Sequence, residues 1–119
     1  MINGVPLYQV KAELFRALGH PVRIRVLELL AERDHAVYEL LEQIDVEQAN
    51  LSQQLAVLRR TGLVSQRRDG GGVIYSLTAP EARELLLSAR RLLRQLASGS
   101  QDLVAALDAP TDESAPKGA

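Results

Sequence analysis

Residues 46–77 read VEQANLSQQLAVLRRTGLVSQRRDGGGVIYSL, and the order of parts in this stretch decides the fold. Its first half has the period of a helix. With Leu51 as reference and about 100° per residue, Leu55 and Leu58 fall within roughly 40° of it and form one apolar stripe. Ala49, Gln53, Ala56 and Arg60 lie on the opposite side, flanked by Asn50, Ser52 and Val57. Gly62 stands where a helix commonly ends in a left-handed residue. Two short runs follow, Val64 to Arg68 and Val73 to Leu77. They are joined through Gly70-Gly71-Gly72, which allows the positive φ of a tight hairpin. Val73, Tyr75 and Leu77 share one face of the second run, and Ile74 and Ser76 the other.

Charge is sorted along the same region. From Gln48 to Arg68 there are four arginines (Arg59, Arg60, Arg67 and Arg68) and no acid. From Ala36 to Glu47 there are four acids (Glu39, Glu42, Asp45 and Glu47) and no lysine or arginine. A chain with a formal net charge of only -1 has thus gathered positive charge into one segment. A helix with a small, polar outer face followed by a basic hairpin fits the major groove and the adjoining backbone of duplex DNA.

Outward from this stretch the chain reads as helices. Leu7 to Leu18 places Leu7, Val10, Leu14, Phe15 and Leu18 near helical spacing. Gly19-His20-Pro21 interrupts it, and proline suits the first turn of the next helix. That helix is apolar over a wide face through Val22, Ile24, Val26, Leu27, Leu29 and Leu30, with Arg23 and Arg25 read as its solvated side. A short third helix is expected over Val37 to Gln43, with Leu40, Leu41 and Ile44 facing inward. Pro80 opens a last long helix to about Ala97, whose Leu85, Leu86, Leu87, Leu92, Leu93 and Leu96 cover more than one face. Residues 98–119 form a tail with one apolar patch (Leu103, Val104 and Leu107), expected to be disordered from about Ala109. One domain over residues 1–97, mainly α with a small two-stranded antiparallel β-wing, is the predicted architecture.

Composition narrows the function. A chain of 119 residues holds a single core and little room for a deep catalytic cleft. With aromatic residues at 3%, leucine and valine must do the packing, which favours helices over a sandwich. The absence of cysteine removes disulfides and thiolate metal sites together. No window is apolar enough to span a bilayer, and the start, MINGVPLYQVKAE, has no basic segment leading into an apolar run, so a cytoplasmic location is expected. A pI near 6.1 argues against bulk nucleic-acid coating, but a local basic face can act despite a near-neutral total. No Ser/His/Asp or phosphate-loop arrangement is present. The glycine run lies between strands and does not open a helix, so it is no dinucleotide fingerprint. No catalytic residue and no cofactor are expected.

These residues match a known family. The chain resembles the ArsR/SmtB-type winged helix-turn-helix transcriptional repressors through LFRALGHPVRIRVLELL (residues 14–30), NLSQQLAVLRRTGLV (residues 50–64), RRDGGGVIYSL (residues 67–77) and the leucine-rich last helix. The resemblance covers about Leu7 to Ala97. It implies a homodimer in which the first and last helices pack across a two-fold axis through Leu7, Val10, Leu14, Leu85, Leu86, Leu92, Leu93 and Leu96. It also implies repression by occupying an inverted-repeat operator of double-stranded DNA. Base contacts then fall to Gln48, Ala49, Asn50, Ser52 and Gln53 in the first turns of the recognition helix. Gln54 stands where many relatives have histidine; near the edge of the apolar stripe, it suits a phosphate or packing role. Arg59, Arg60, Arg67 and Arg68 would touch phosphates or, at the hairpin tip, enter the minor groove, with Arg59 alternatively pairing an acid of its own subunit. Glu47 replaces the serine N-cap common in the family, which weakens the cap but keeps an acid at the helix's positive end.

The resemblance also raises metal sensing. The Cys-x-Cys pair that some relatives carry in the third helix falls here at Ala36 and Tyr38, and neither is a soft-metal ligand. A second family site on the last helix needs Asp and His, whereas residues 80–97 offer only Glu81 and Glu84 as acids and no histidine. His20 and His35 read as a turn residue and a surface residue. No metal site is therefore expected. A small organic effector between the first and last helices, or a partner protein on the tail, would supply the signal instead, and the residues do not choose between them. The rival reading is a winged helix used only for protein–protein contact, with its arginines as solvated charge.

Overall fold

The computed structural model describes residues 1–97 and 99–109. In chain order it contains α1 (Leu7–Leu18), α2 (Pro21–Glu32), β1 (His35–Ala36), α3 (Val37–Gln43), α4 (Gln48–Thr61), β2 (Val64–Asp69), β3 (Gly72–Leu77), α5 (Glu81–Leu96) and α6 (Gln101–Asp108). α2 is the central helix: it packs on α1, α4, α5 and β3. Val26 and Leu27 on α2, Leu40 on α3, and Leu51, Leu55 and Leu58 on α4 are almost wholly removed from solvent and form the middle of the core. The apolar stripe predicted for α4 is the stripe that is buried. No helix among the described residues is long and apolar enough to cross a membrane.

Local chemistry sets the element ends. His20 Nδ1 accepts the Val22 N–H at 3.1 Å, so this turn histidine caps α2, and Pro21 follows as its first residue. The Glu39 carboxylate reaches back to accept the Ala36 N–H at 2.8 Å at the start of α3. Gly62 ends α4 at φ +82, and the Leu63 N–H returns at 3.1 Å to the Leu58 carbonyl, which also accepts the Thr61 hydroxyl at 2.7 Å, so this end carbonyl is well satisfied. Thr78 then locks the wing to this terminus: its hydroxyl donates to the Gly62 carbonyl at 2.6 Å and its N–H to the Leu63 carbonyl at 3.1 Å. The turn between β2 and β3 uses Gly70 at φ +63 and Gly71 at φ +112, values a side chain would resist.

Three features correct the sequence reading. The wing sheet has three strands in the order β1-β3-β2, all antiparallel, where two were expected. The extra strand is two residues long, with His35 opposite Tyr75 and Ala36 opposite Ile74. That pairing buries His35, read as a surface residue, to 4% exposure, with Nδ1 2.9 Å from the Arg33 carbonyl oxygen. Arg23 is no solvated charge: it is half-buried and hydrogen-bonded to two neighbouring helices. Arg25 pairs with Glu28 at 3.2 Å on its own helix, and only a fifth of its side chain is exposed, so it too is more enclosed than expected.

Residues 99–109 also gain structure. α6 is capped by Ser100, whose hydroxyl accepts the Leu103 N–H at 3.3 Å, and it lies against α5 with Leu107 buried. Arg90 and Arg94 of α5 donate to the Leu107 carbonyl, and Arg94 pairs with Asp108. The disorder expected from about Ala109 falls almost wholly on residues outside those described.

Candidate nucleic-acid interface

α3, the turn at residues 44–47 and α4 form a helix-turn-helix, with the wing packed against it through β2 and β3. Leu51, Leu55 and Leu58 hold α4 against the core, which fixes the face it shows to solvent. Gln48, Ala49, Ser52 and Gln53 are exposed on its first two turns, as are Arg59 and Arg60 on its last. Side chains on this face are uncharged near the N-terminus and cationic near the C-terminus. The α4 N-cap, Glu47, makes no side-chain cap bond, in keeping with the replaced serine.

Two predicted residues sit differently from the rest. Gln54 is buried at 9% exposure; its oxygen accepts from Arg23 Nη1 at 2.8 Å and its nitrogen donates to Asn50 Oδ1 at 2.9 Å. It is therefore packed within the chain in this structure. Asn50 is half-buried on the flank of the exposed face, one arm of its amide turned to Gln54.

The wing adds Arg67 and Arg68 on β2, both exposed and paired in register with Ile74 and Val73. They are not equivalent. Arg67 Nη1 donates to Asp34 Oδ2 at 2.9 Å and to the Ser76 hydroxyl at 3.1 Å. The Arg67 guanidinium, and after it the Ser76 hydroxyl, hold the Asp34 carboxyl below the usual carboxylate range. Arg68, Arg59 and Arg60 have no ion pair among the described residues. In the sequence the wing arginines read as an equivalent pair, because Asp34 lies 33 positions away and nothing local links it to Arg67. On the acidic side, the Ala36 N–H and then Arg33 lower the Glu39 carboxyl in the same way.

The residues expected to join two copies also divide. Leu7, Leu92, Leu93 and Leu96 are exposed, Leu96 at 68%. Leu14, Leu85 and Leu86 are partly buried against the chain's own core, and Val10 is intermediate. Tyr8 at 71% and Phe15 at 59%, neither of them among the expected interface residues, extend the exposed apolar surface of α1. Among the described residues no group of three or more His, Asp or Glu is placed to hold a metal ion.

A helix-turn-helix with a β-wing and a basic outer face defines a winged-helix DNA-binding protein. Comparison with known proteins gives the family. Residues 20–66 match the model of the bacterial regulatory protein, arsR family. The HTH-type transcriptional regulator Rv0081 of Mycobacterium tuberculosis is 55% identical over 108 residues, which is 90% of this chain and 92% of that one. Its crystal structure superposes with a TM-score of 0.74 over 80% of this chain and 96% of that one. The transcriptional repressor BigR of Xylella fastidiosa gives 0.67 at 38% identity, over 71% and 87% of the two chains. The fold is shared more distantly by the homodimeric winged helix-turn-helix domain Mb0332 of Mycobacterium bovis, with a TM-score of 0.69 at 23% identity over 85% and 98%. The chain belongs to the ArsR family of DNA-binding transcriptional regulators.

Proposed function

We propose that this protein is a homodimeric repressor that occupies an inverted-repeat operator, with one α4 in each of two successive major grooves. The observation that carries this reading is the pairing of two surfaces on one chain. One is the polar face of α4, with Arg59, Arg60 and Arg68, which make no ion pair among the described residues, beside it. The other is the apolar surface that each of α1 and α5 leaves uncovered, where Leu7, Tyr8 and Phe15, and Leu92, Leu93 and Leu96, are exposed in the single chain. Side chains of that size exposed on two helices mark surface available for association. Both helices pack on α2, so a dimer formed through them holds its two α4 helices at a fixed separation.

Gln48, Ala49, Ser52 and Gln53 approach base edges, where the amides recognise donor–acceptor pairs and the alanine leaves room for close contact. Arg59, Arg60 and Arg68 take phosphates and set the register. The family's cysteine ligand positions hold Ala36 and Tyr38, so release from DNA follows a signal other than a soft metal at that site. A gel-shift with duplexes from upstream of the protein's own operon tests the reading. Binding that survives excess random competitor supports it. Equal loss to specific and random competitors favours a protein-contact module instead.

A further inference from the structure

Arg23 reaches from the central helix into the C-terminal end of α1 and the side of α4. Its Nε donates to the Ala17 carbonyl at 2.6 Å, Nη2 to the Arg16 carbonyl at 3.2 Å, and Nη1 to Gln54 Oε1 at 2.8 Å. The Arg16 carbonyl also accepts the Gly19 N–H at 3.2 Å, and both carbonyls lie at the negative pole of α1, so the guanidinium is well held. A guanidinium can only donate. Gln54 must therefore present its oxygen to Arg23, which turns its nitrogen to Asn50. Asn50 must in turn offer its oxygen. The arms of an amide diverge, so with Oδ1 turned to Gln54 the Nδ2 arm is left to point outward. No buried side-chain polar atom among the described residues lacks a partner, so the chain of bonds is complete as it stands.

We propose that Arg23 and Gln54 are positioning residues that make Asn50 a hydrogen-bond donor toward DNA, so that it selects the acceptor edge of guanine or thymine. A free asparagine amide would pair bidentately with adenine, giving one bond and taking one. Asn50 has spent its acceptor arm inside the protein. Guanine offers N7 and O6 and thymine offers O4, all acceptors; cytosine offers only the N4 donor, and adenine loses half of its bidentate pair. Specificity at this position is thus fixed by a residue on a different helix that touches no base. The inference rests on the reading that α4 enters the major groove.

Selection of bound duplexes from a randomised library, followed by sequencing, tests it with the full chain. The wild type should enrich guanine or thymine at one position of each half-site, and Asn50→Ala should lose that preference alone. Gln54→Glu supplies the decisive comparison. Its carboxylate accepts from Arg23 with one oxygen and from Asn50 Nδ2 with the other, so the Asn50 oxygen turns outward. Preference at that one position should then move to adenine or cytosine, by about tenfold in enrichment, with other positions unchanged. If Gln54→Glu fails to fold by circular dichroism, Arg23→Met should flatten the preference there and Arg23→Lys should restore it. A wild-type preference for adenine or cytosine at the Asn50 position overturns the proposal, as does a preference that neither the Gln54 nor the Arg23 change alters. Those results leave groove binding intact. Enrichment of no sequence by the wild type overturns the DNA reading and this proposal together.

Discussion

The wing arginines differ in a way that salt can measure. Arg59, Arg60 and Arg68 are exposed and make no ion pair among the described residues, whereas Arg67 is held by Asp34 and Ser76. Each phosphate neutralised contributes about -0.9 to the slope of log affinity against log salt, so a dimer using three arginines per subunit should show a slope of about -5, and one using all four about -7. Arg68→Ala removes two contacts per dimer and should make the slope shallower by about 1.8, which is roughly a twelvefold smaller loss of affinity between 50 and 200 mM salt. Arg67→Ala should change the slope by less than about 1, because that arginine is already occupied by its own acid. Fluorescence anisotropy of a labelled duplex titrated at several salt concentrations gives both numbers. Operator and random DNA should respond alike, since phosphates carry no sequence. A slope that Arg68→Ala leaves at the wild-type value would remove the wing from the mechanism. An Arg67 effect as large as that of Arg68 would show that the Asp34 contact does not hold Arg67 back.

Freeing Arg67 should do the reverse: Asp34→Asn should tighten binding to any duplex and steepen the slope by up to about 1.8 per dimer, read in the same titration. Because the Asp34 carboxyl is lowered below its ordinary 3.8, the stability this pair adds is fully present above that value and is lost only as pH falls below it. Melting curves between pH 5 and 8 should therefore show the same difference between Asp34→Asn and wild type, and a difference that changes across that range would contradict the assignment. Gln53→Ala should lower discrimination between operator and random DNA by about 1–3 kcal/mol per subunit, measured by competition, and unchanged discrimination would mean that α4 is aimed differently. Leu27→Ala empties a site with no solvent exposure at the centre of α2 and should cost about 2–5 kcal/mol in urea unfolding; a loss under about 1 kcal/mol would show that the core closes around the gap.

Much of this was legible in the sequence where a pattern is local and repeats. Leu51, Leu55 and Leu58 recur at the helical period, so the buried side of α4, and with it the exposed side, follows from spacing alone. Gly62 and the glycine run mark the helix end and the hairpin for the same reason: each answers a backbone demand at its own position. What was not legible depends on partners distant in the chain. β1 is two residues long, too short to show alternation, and exists because Tyr75 and Ile74 of β3 bring hydrogen-bonding groups to His35 and Ala36. Arg23 lies 31 residues from Gln54, and Arg67 lies 33 from Asp34, so neither pair leaves a trace in periodicity. α6 did leave a signal, since Ser100 stands as an N-cap three residues before Leu103, but eight residues are few for a helix without the α5 surface to pack on. The exposure of Tyr8 and Phe15 is a matter of which side of α1 meets α2 and α4, which the spacing of one helix does not determine.

Sedimentation velocity of the pure protein, alone and with a duplex from its own promoter, addresses the central statement most directly. A species of twice the 13.0 kDa chain mass is expected before DNA is added, and one such pair per duplex afterwards. A species of one chain mass at micromolar concentration that joins the duplex one copy at a time, with no preference for symmetric sites, would contradict it.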